Sequence, residues 1–136
     1  MYRKMRKDEC VNLFNVKLKE FINDLITVYP QDDDLYKFKT SISMLLLVNE
    51  KQAIKIFKDF VYPKYKDHIL NRDEKFFLTH DYTEDVNGVS EQAPEFTDQL
   101  IVKIKSYWET MTDDNKNIIW NYFTLLIKLV EKYNSM

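Results

Sequence analysis

The C-terminal stretch from Asp113 to Tyr133 constrains the fold more than any other part of the sequence. Its main apolar residues are spaced three or four apart, as one face of a helix requires: Ile118, Ile119, Tyr122, Phe123, Leu126, Val130 and Tyr133. Four more widen this stripe beyond one face: Trp120, Leu125, Ile127 and Leu129. A helix that is apolar around most of its circumference must be covered on several sides. The stretch therefore predicts a central helix that other helices, or a second chain, surround.

The rest of the chain repeats this helical spacing. Six helices are predicted, at about 8–29, 33–48, 50–61 with a continuation over 64–70 beyond a kink at Pro63, 74–78, 95–110 and 113–133. The predicted caps are Asp8, the acidic residues 32–34, Asn49 with Gln52 as a capping box, Asp73 and Thr112. Only 1 Gly and 3 Pro occur in 136 residues, too few for the many turns of a sheet protein. The sequence therefore predicts an all-α fold, a compact bundle of about six helices with the C-terminal helix central.

Length and composition indicate a single domain over residues 1–136. A chain of this length with 45% hydrophobic residues can bury a core without disulfides. The single cysteine, Cys10, excludes an internal disulfide and is typical of a reducing compartment. No apolar segment of a signal peptide follows the charged N-terminus, and no apolar run reaches the roughly 20 residues of a membrane span. We therefore expect an intracellular protein without a membrane partner.

The formal net charge of −2 conceals two oppositely charged segments. Residues 1–7 carry four basic side chains and are expected to form a flexible N-terminus, whereas residues 79–99 carry six acidic side chains and no Lys or Arg. Within the latter, residues 79–93 are predicted to form a long acidic loop, and loops of this length are either functional or mobile. Separated charges of this kind favour head-to-tail contacts or protein partners over a duplex-binding face.

No pattern in the sequence indicates catalysis, a cofactor or a metal site. The possible metal ligands Cys10, His68 and His80 lack the paired spacing of a zinc site. Aligning Gly88 with the turn glycine of a calcium loop puts Pro94 where the bidentate carboxylate belongs. A single glycine also argues against a phosphate-binding loop. We therefore predict no catalytic, cofactor-binding or metal-binding residues, and a protein that is not an enzyme.

A lysine-rich stretch between residues 50 and 66 makes nucleic-acid binding one alternative. Its lysines could follow phosphates while Tyr62 and Tyr65 stack on bases. The candidate contact residues are Arg3, Lys4, Arg6, Lys7, Lys55, Lys58, Lys64 and Lys66. The scarcity of Arg weakens base reading, and a solvated lysine face explains the same pattern.

The high aromatic content makes protein interaction the main hypothesis. Aromatic residues make up 15% of the chain, more than we expect the core alone to take up. The candidates for a partly exposed interface are Tyr36, Tyr62, Tyr65, Trp108, Trp120 and Tyr122. An aromatic-rich core, compensating for scarce Ala and Gly, is the competing explanation. Self-association would also cover a terminal helix too apolar for one bundle.

Six short motifs along the chain carry a resemblance to known proteins. They are Phe14-Asn-x-Lys-x-x-Glu-Phe-Ile-Asn-Asp-Leu-Ile, Tyr29-Pro-x-Asp, Val48-Asn-Glu-Lys, Ile69-Leu-Asn-Arg-Asp-Glu-x-Phe-Phe-Leu, Trp108, and Asn115-Lys-x-x-Ile-Trp-x-Tyr. Together they resemble a family of small uncharacterised proteins of large nucleocytoplasmic DNA viruses, of the phycodnavirus and mimivirus-like groups. The resemblance implies a viral protein acting in an infected algal or protist cell, in the cytoplasm, the nucleus or the virion, and it supplies no catalytic residue. The predicted function is a non-enzymatic interaction, adaptor or virion-associated module.

Overall fold

The computed structural model describes residues 5–79 and 96–136, and for residues 96–98 the backbone alone. Its helices are α1 (Lys7–Val28), α2 (Asp33–Val48), α3 (Gln52–Ile56), a π-helical segment (Phe57–Val61), α4 (Tyr62–Leu70), α5 (Glu74–Thr79), α6 (Phe96–Trp108) and α7 (Asp113–Asn134). Because α3, the π segment and α4 are continuous, these elements form six rods, and the described residues contain no strand. The all-α prediction is confirmed. The predicted acidic loop, 79–93, lies outside the described residues except for Thr79.

Polar caps fix several helix starts at the predicted places. The hydroxyl of Thr112 accepts a hydrogen bond from the Asn115 N–H at 3.2 Å, where α7 begins. Asp73 accepts one from the Phe76 N–H at 3.1 Å at the start of α5. Asp32 accepts one from the N–H two residues on, in the first turn of α2. These starts follow from side-chain chemistry that is local in sequence.

Two predicted caps are wrong. The N-cap of α1 is Arg6, without a side-chain hydrogen bond, so Asp8 lies inside the first turn. Its charge still suits the positive end of the helix there. The Asn49 side chain accepts from the Lys51 N–H at 3.0 Å, which is a local turn rather than a capping box, and α3 begins later, at Gln52. α1 thus begins before its predicted cap, and α3 begins after its predicted cap.

The π segment explains how one helix continues through Pro63. Ala53, Phe57, Val61 and Tyr65 are spaced four apart, and Ile69 follows at the same interval. Four residues overshoot a 3.6-residue turn, so this row would rotate away from the core by about 40° at each step. One wider π turn corrects the drift and keeps Val61, Tyr65 and Ile69 buried. Pro63 then falls in the first turn of α4, where its missing N–H costs little, so the predicted kink is a π turn.

α1 and α7 run antiparallel and form the middle of the bundle. Near one end the Cys10 thiol donates to the Leu129 carbonyl oxygen at 3.3 Å, and near the other the rings of Phe21 and Tyr122 stack with their centroids 5.1 Å apart. α2 packs on the side of α1, while α4 packs on α7. This pairing brings the start of α1 to the end of α7.

The buried residues of α7 cover about half of its circumference, at 100° per residue. They are Ile119, Trp120, Leu126, Ile127, Leu129, Val130 and Tyr133. The opposite side carries Asn117, Asn121 and Lys128 and is exposed, as is Ile118. α7 is therefore central, as predicted, but it is amphipathic and needs no second chain to cover it.

Candidate interaction surfaces

The structure corrects half of the predicted aromatic interface. Tyr65, Trp108 and Trp120 are only 1%, 5% and 6% exposed. Tyr65 lies on the buried side of α4, within ring-contact distance of Phe76 and Phe77. These three residues therefore belong to the core, as the competing explanation of an aromatic-rich core predicts.

An internal partner satisfies the polar atom that could have kept Trp108 at the surface. The rings of Trp108 and Trp120 meet edge to face with centroids 5.6 Å apart, which joins α6 to α7. The indole N–H of Trp108 donates to Glu74 Oε1 at 2.7 Å. The Lys116 ammonium lies 5.4 Å from the centroid of the same ring. Trp108 therefore needs no water or partner at its polar edge.

The other three predicted aromatics lie on three different helices. Tyr36 on α2 is exposed, and its hydroxyl donates to the carbonyl oxygen of Pro30 at 3.3 Å. Tyr62 on α4 and Tyr122 on α7 are half-buried. Tyr62 donates to Glu131 Oε1 at 3.3 Å. Because Glu131 follows Tyr122 by nine residues, Tyr62 and Tyr122 lie about 14 Å apart along α7 and do not share one aromatic patch.

An aliphatic surface that the sequence reading missed lies at the end of α2. Met44, Leu47 and Val48 are 62%, 86% and 88% exposed. Leu47 and Val48 follow Met44 by three and four residues, on the side of α2 opposite its buried residues. The three side chains therefore form one contiguous patch, here called the α2 patch. Exposed aliphatic side chains that lie together on a helix mark interaction sites. The signal in the sequence was the run 44–48, since five consecutive apolar residues encircle a helix and cannot all face inward.

Some of the predicted nucleic-acid contacts are aligned and exposed. Lys55 follows Lys51 by four residues, and Lys58 follows Lys55 by three. The three side chains therefore lie on one side of α3 and the first turn of the π segment. Lys64 is exposed on α4. Two further candidates lie outside the described residues: Arg3 and Lys4. We call Lys51, Lys55 and Lys58 the lysine ridge.

The remaining predicted basic contacts already contact their own chain. The ammonium of Lys66 lies 3.5 Å from Glu131 Oε1, and the guanidinium of Arg6 lies 2.7 Å from Glu9 Oε1. The Lys7 ammonium lies 4.6 Å from the centroid of an aromatic ring on α7. With Tyr65 buried and Tyr62 bound to Glu131, the predicted stacking of tyrosines on bases is also lost.

A cleft of about 280 Å³ opens where the end of α1 meets the start of α7. Its apolar wall includes Phe21, Leu25 and Ile119, which are buried, and Val28 and Ile118, which are more than 40% exposed. Its other lining residues are Asp24, Thr27, Tyr29, Met111 and Asn115. The cleft thus combines an apolar floor with a few polar groups, as binding sites usually do.

Asp24 is the one carboxylate among the described side chains that line this cleft. The Tyr122 hydroxyl donates to Asp24 Oδ2 at 2.5 Å. Burial, this hydrogen bond and the charges of Asp24 and Glu20 raise the pKa of Tyr122 to about 12. None of the ten lining residues is basic. A positively charged ligand would therefore be favoured there.

A cluster of ionisable groups fastens the α1–α2 connection to α6. The Tyr107 hydroxyl donates to Asp32, and the Lys103 ammonium lies 3.3 Å from Asp32 and 2.8 Å from Asp34. Burial alone would raise the pKa of Asp32, but the hydrogen bonds from Tyr107 and the Asp34 N–H, together with Lys103, outweigh it and lower that pKa. The Tyr29 and Tyr107 rings stack at 3.8 Å. Asp32, Asp34, Lys103 and Tyr107 each have a partner within the cluster, which indicates a structural role.

Two other chemically active side chains are also held in structural roles. Cys10 is fully buried, and burial raises the pKa of its thiol, so its thiolate is disfavoured. His68 Nδ1 lies 3.0 Å from Asp73 Oδ2, and its ring stacks on Phe76 at 3.5 Å. Among the described side chains no three of His, Cys, Asp or Glu come together as metal ligands would, and His80 lies outside them.

Comparisons of the chain with protein-family models, with curated proteins and with solved structures gave no match. Within the described ranges, no helix combines the length and the apolar character that crossing a bilayer requires.

Proposed function

We propose that this chain is a non-enzymatic protein-interaction module that binds its partner through the α2 patch. The observation that carries the proposal is the exposure of Leu47 and Val48, both above 85%. Leaving two large aliphatic side chains in water gains nothing for the fold, since burying each would contribute about 1.5–3 kcal/mol. A partner that covers them recovers this free energy.

The size of the α2 patch indicates the kind of contact. A standard interface buries about 800 Å² per partner, more than three side chains supply. The contact must therefore extend over the polar residues of the same side of α2, among them Lys37 and Thr40, which are exposed. An apolar centre with a polar rim is typical of partners that also exist apart. We infer an aliphatic helix or loop of another protein as the occupant, as an adaptor would bind.

Site-specific cross-linking tests this proposal. Cys10 is buried, so Leu47→Cys can carry a thiol-reactive photo-cross-linker without altering the native cysteine. In an extract of infected cells we expect a discrete adduct from position 47 that Val48→Glu abolishes. Lys128→Cys, exposed on α7, is the matched control and should give none. Equal adducts from both positions, or an adduct insensitive to Val48→Glu, would refute the proposal.

The lysine ridge supports a second candidate function, the binding of a nucleic-acid backbone. Its three ammonium groups are exposed, and within the described part of the chain none forms an ion pair with a carboxylate. Such a row can neutralise successive phosphates without reading sequence. The ridge therefore favours weak, salt-dependent binding that is indifferent to base identity.

Binding to a fluorescent single-stranded oligonucleotide at several salt concentrations tests this second function. The slope of log K against log salt is negative, and the double variant Lys55→Gln, Lys58→Gln should make it shallower by about 1.4, since each single-strand phosphate contact contributes about −0.7. Lys37→Gln with Lys39→Gln on α2 makes the same change in net charge elsewhere. Equal slopes for the two double variants would exclude the lysine ridge as the nucleic-acid site.

The resemblance to proteins of large DNA viruses supports an infected algal or protist cell as the setting for either function. The high Lys-to-Arg ratio, 17 to 3, is the residue usage of an A+T-rich genome and supports the same origin. We propose the host cytoplasm, the nucleus or the virion as the place of action. Infected-cell extracts and purified virions are therefore the samples in which to seek the cross-linked partner.

A further inference from the structure

The end of the bundle where α1 finishes and α7 begins is acidic. Asp24, the acidic residues 32–34, Asp113 and Asp114 lie there, and Lys103 pairs with two of them. At the other end the charges of Arg6, Lys7 and Lys132 are balanced by those of Asp8, Glu9 and Glu131. The sequence places two further basic residues before these, Arg3 and Lys4. This basic segment of one copy would be attracted to the acidic end of another.

The cleft lies at the acidic end and has the form of a receptor for an apolar side chain. Val28 and Ile118 stand on its two walls, one on α1 and one on α7. A carboxylate lies one helical turn before each of them: Asp24 before Val28, and Asp114 before Ile118. The cleft thus offers apolar contact between two negative rims. Its volume of about 280 Å³ suits one or two side chains rather than an enclosed small molecule.

A segment of this chain has the complementary chemistry. Residues 1–4, Met-Tyr-Arg-Lys, join two apolar side chains to two basic ones. By contrast, residues 80–95 carry only acidic charges and would be repelled from the cleft. The basic N-terminal segment is therefore the part of this chain that fits.

Residues 1–4 cannot reach the cleft of their own chain. From Lys7 to Val28 the α1 axis extends roughly 32 Å, at 1.5 Å per residue. The six residues before Lys7, fully extended, span at most about 22 Å. The segment can therefore enter only the cleft of another molecule.

We propose that the cleft between α1 and α7 binds residues 1–4 of a second copy of this chain, with Tyr2 or Met1 between Val28 and Ile118 and the basic side chains against Asp24 and Asp114. The contact is heterologous, so it continues into a ring or a filament. It uses a surface separate from the α2 patch. Failure of either proposal therefore leaves the other standing.

Sedimentation velocity over a concentration series tests this docking by charge reversal. The wild-type chain should self-associate, and raising the salt concentration should weaken the association because the rim charges are exposed. Arg3→Glu with Lys4→Glu should weaken it about tenfold, because the change removes two exposed ion pairs and places like charges against the acidic rims. Asp114→Lys alone should weaken it less, and Asp114→Lys mixed with Lys4→Glu should restore part of the loss.

Controls separate this contact from other modes of association. Asp67→Lys reverses an exposed charge on α4, away from the cleft, and should leave the association unchanged. Ile118→Ser should weaken it without changing any charge. A wild-type chain that stays monomeric would overturn the proposal, as would an association that Arg3→Glu with Lys4→Glu leaves intact. Association that Leu47→Ser abolishes at every salt concentration would instead assign self-contact to the α2 patch and also refute the docking.

Discussion

Replacing Ile119 by Ala should destabilise the fold far more than the same change at its neighbour, Ile118. Ile119 is 2% exposed and Ile118 is 44% exposed, although both lie on α7 and undergo the same change in helix propensity. Removing three buried carbons from Ile119 costs about 2.4 kcal/mol in transfer free energy, at about 0.8 kcal/mol each. The void adds to this, but Ile119 also lines the cleft, so water can enter and the cavity contribution stays small. We expect about 3 kcal/mol in total.

Ile118→Ala should cost only about 1 kcal/mol, because roughly half of its side chain is already in water and no closed cavity forms. The two variants should therefore differ by about 2 kcal/mol in free energy of unfolding, and this difference reflects the burial of Ile119. Urea unfolding followed by circular dichroism at 222 nm measures both free energies of unfolding, and unchanged m-values would show that the same transition is compared. If the two variants lost equal stability, the assigned orientation of α7 would be wrong.

Three further predictions follow from individual contacts. Asp32→Asn should lower the free energy of unfolding at pH 7, and its deficit relative to wild type should shrink as the pH falls below about 4, the pKa of an unfolded Asp. The pKa of Asp32 is lowered in the folded state, so its contribution exists above the unfolded pKa and is lost as the pH falls through the folded one. Arg72 has a φ of 49°, so Arg72→Gly should be about 1 kcal/mol more stable in thermal unfolding than Arg72→Ala, and the reverse order would refute the left-handed assignment. When wild type and Tyr122→Phe are titrated and followed by absorbance at 295 nm, the difference between the two curves should show a phenol midpoint near 12. A midpoint near 10 would show that Tyr122 does not bind Asp24.

Much of the fold was predictable because it follows from local chemistry. Thr112 and Asp73 cap helices where their side chains can reach free N–H groups, and apolar spacing locates the helices between them. Asn49 shows the limit of that reasoning, since an Asx turn and a capping box require the same residue type. The π turn at Phe57–Val61 was also readable, from a four-residue spacing kept across Pro63.

The candidate sites were harder to predict, because they depend on how helices pack. Trp108 and Trp120 are core residues only because α5 and α6 meet α7 at those positions and Glu74 accepts the indole hydrogen bond of Trp108. The cleft exists because the end of α1 stops short of closing over Ile118 and Asn115. No pattern within one helix contains that information. The α2 patch is the exception, since the run 44–48 is itself too apolar for one face.

The rate at which a thiol reagent modifies Leu47→Cys tests the central claim, an open aliphatic surface at the end of α2. Wild type supplies its own background, since its single thiol, Cys10, is fully buried. In the native protein the new thiol should react within about threefold of its rate in guanidinium, while the wild-type thiol stays unmodified over the same time. A native rate more than about tenfold slower than the unfolded one would mean that the chain itself covers the patch, and would contradict the account.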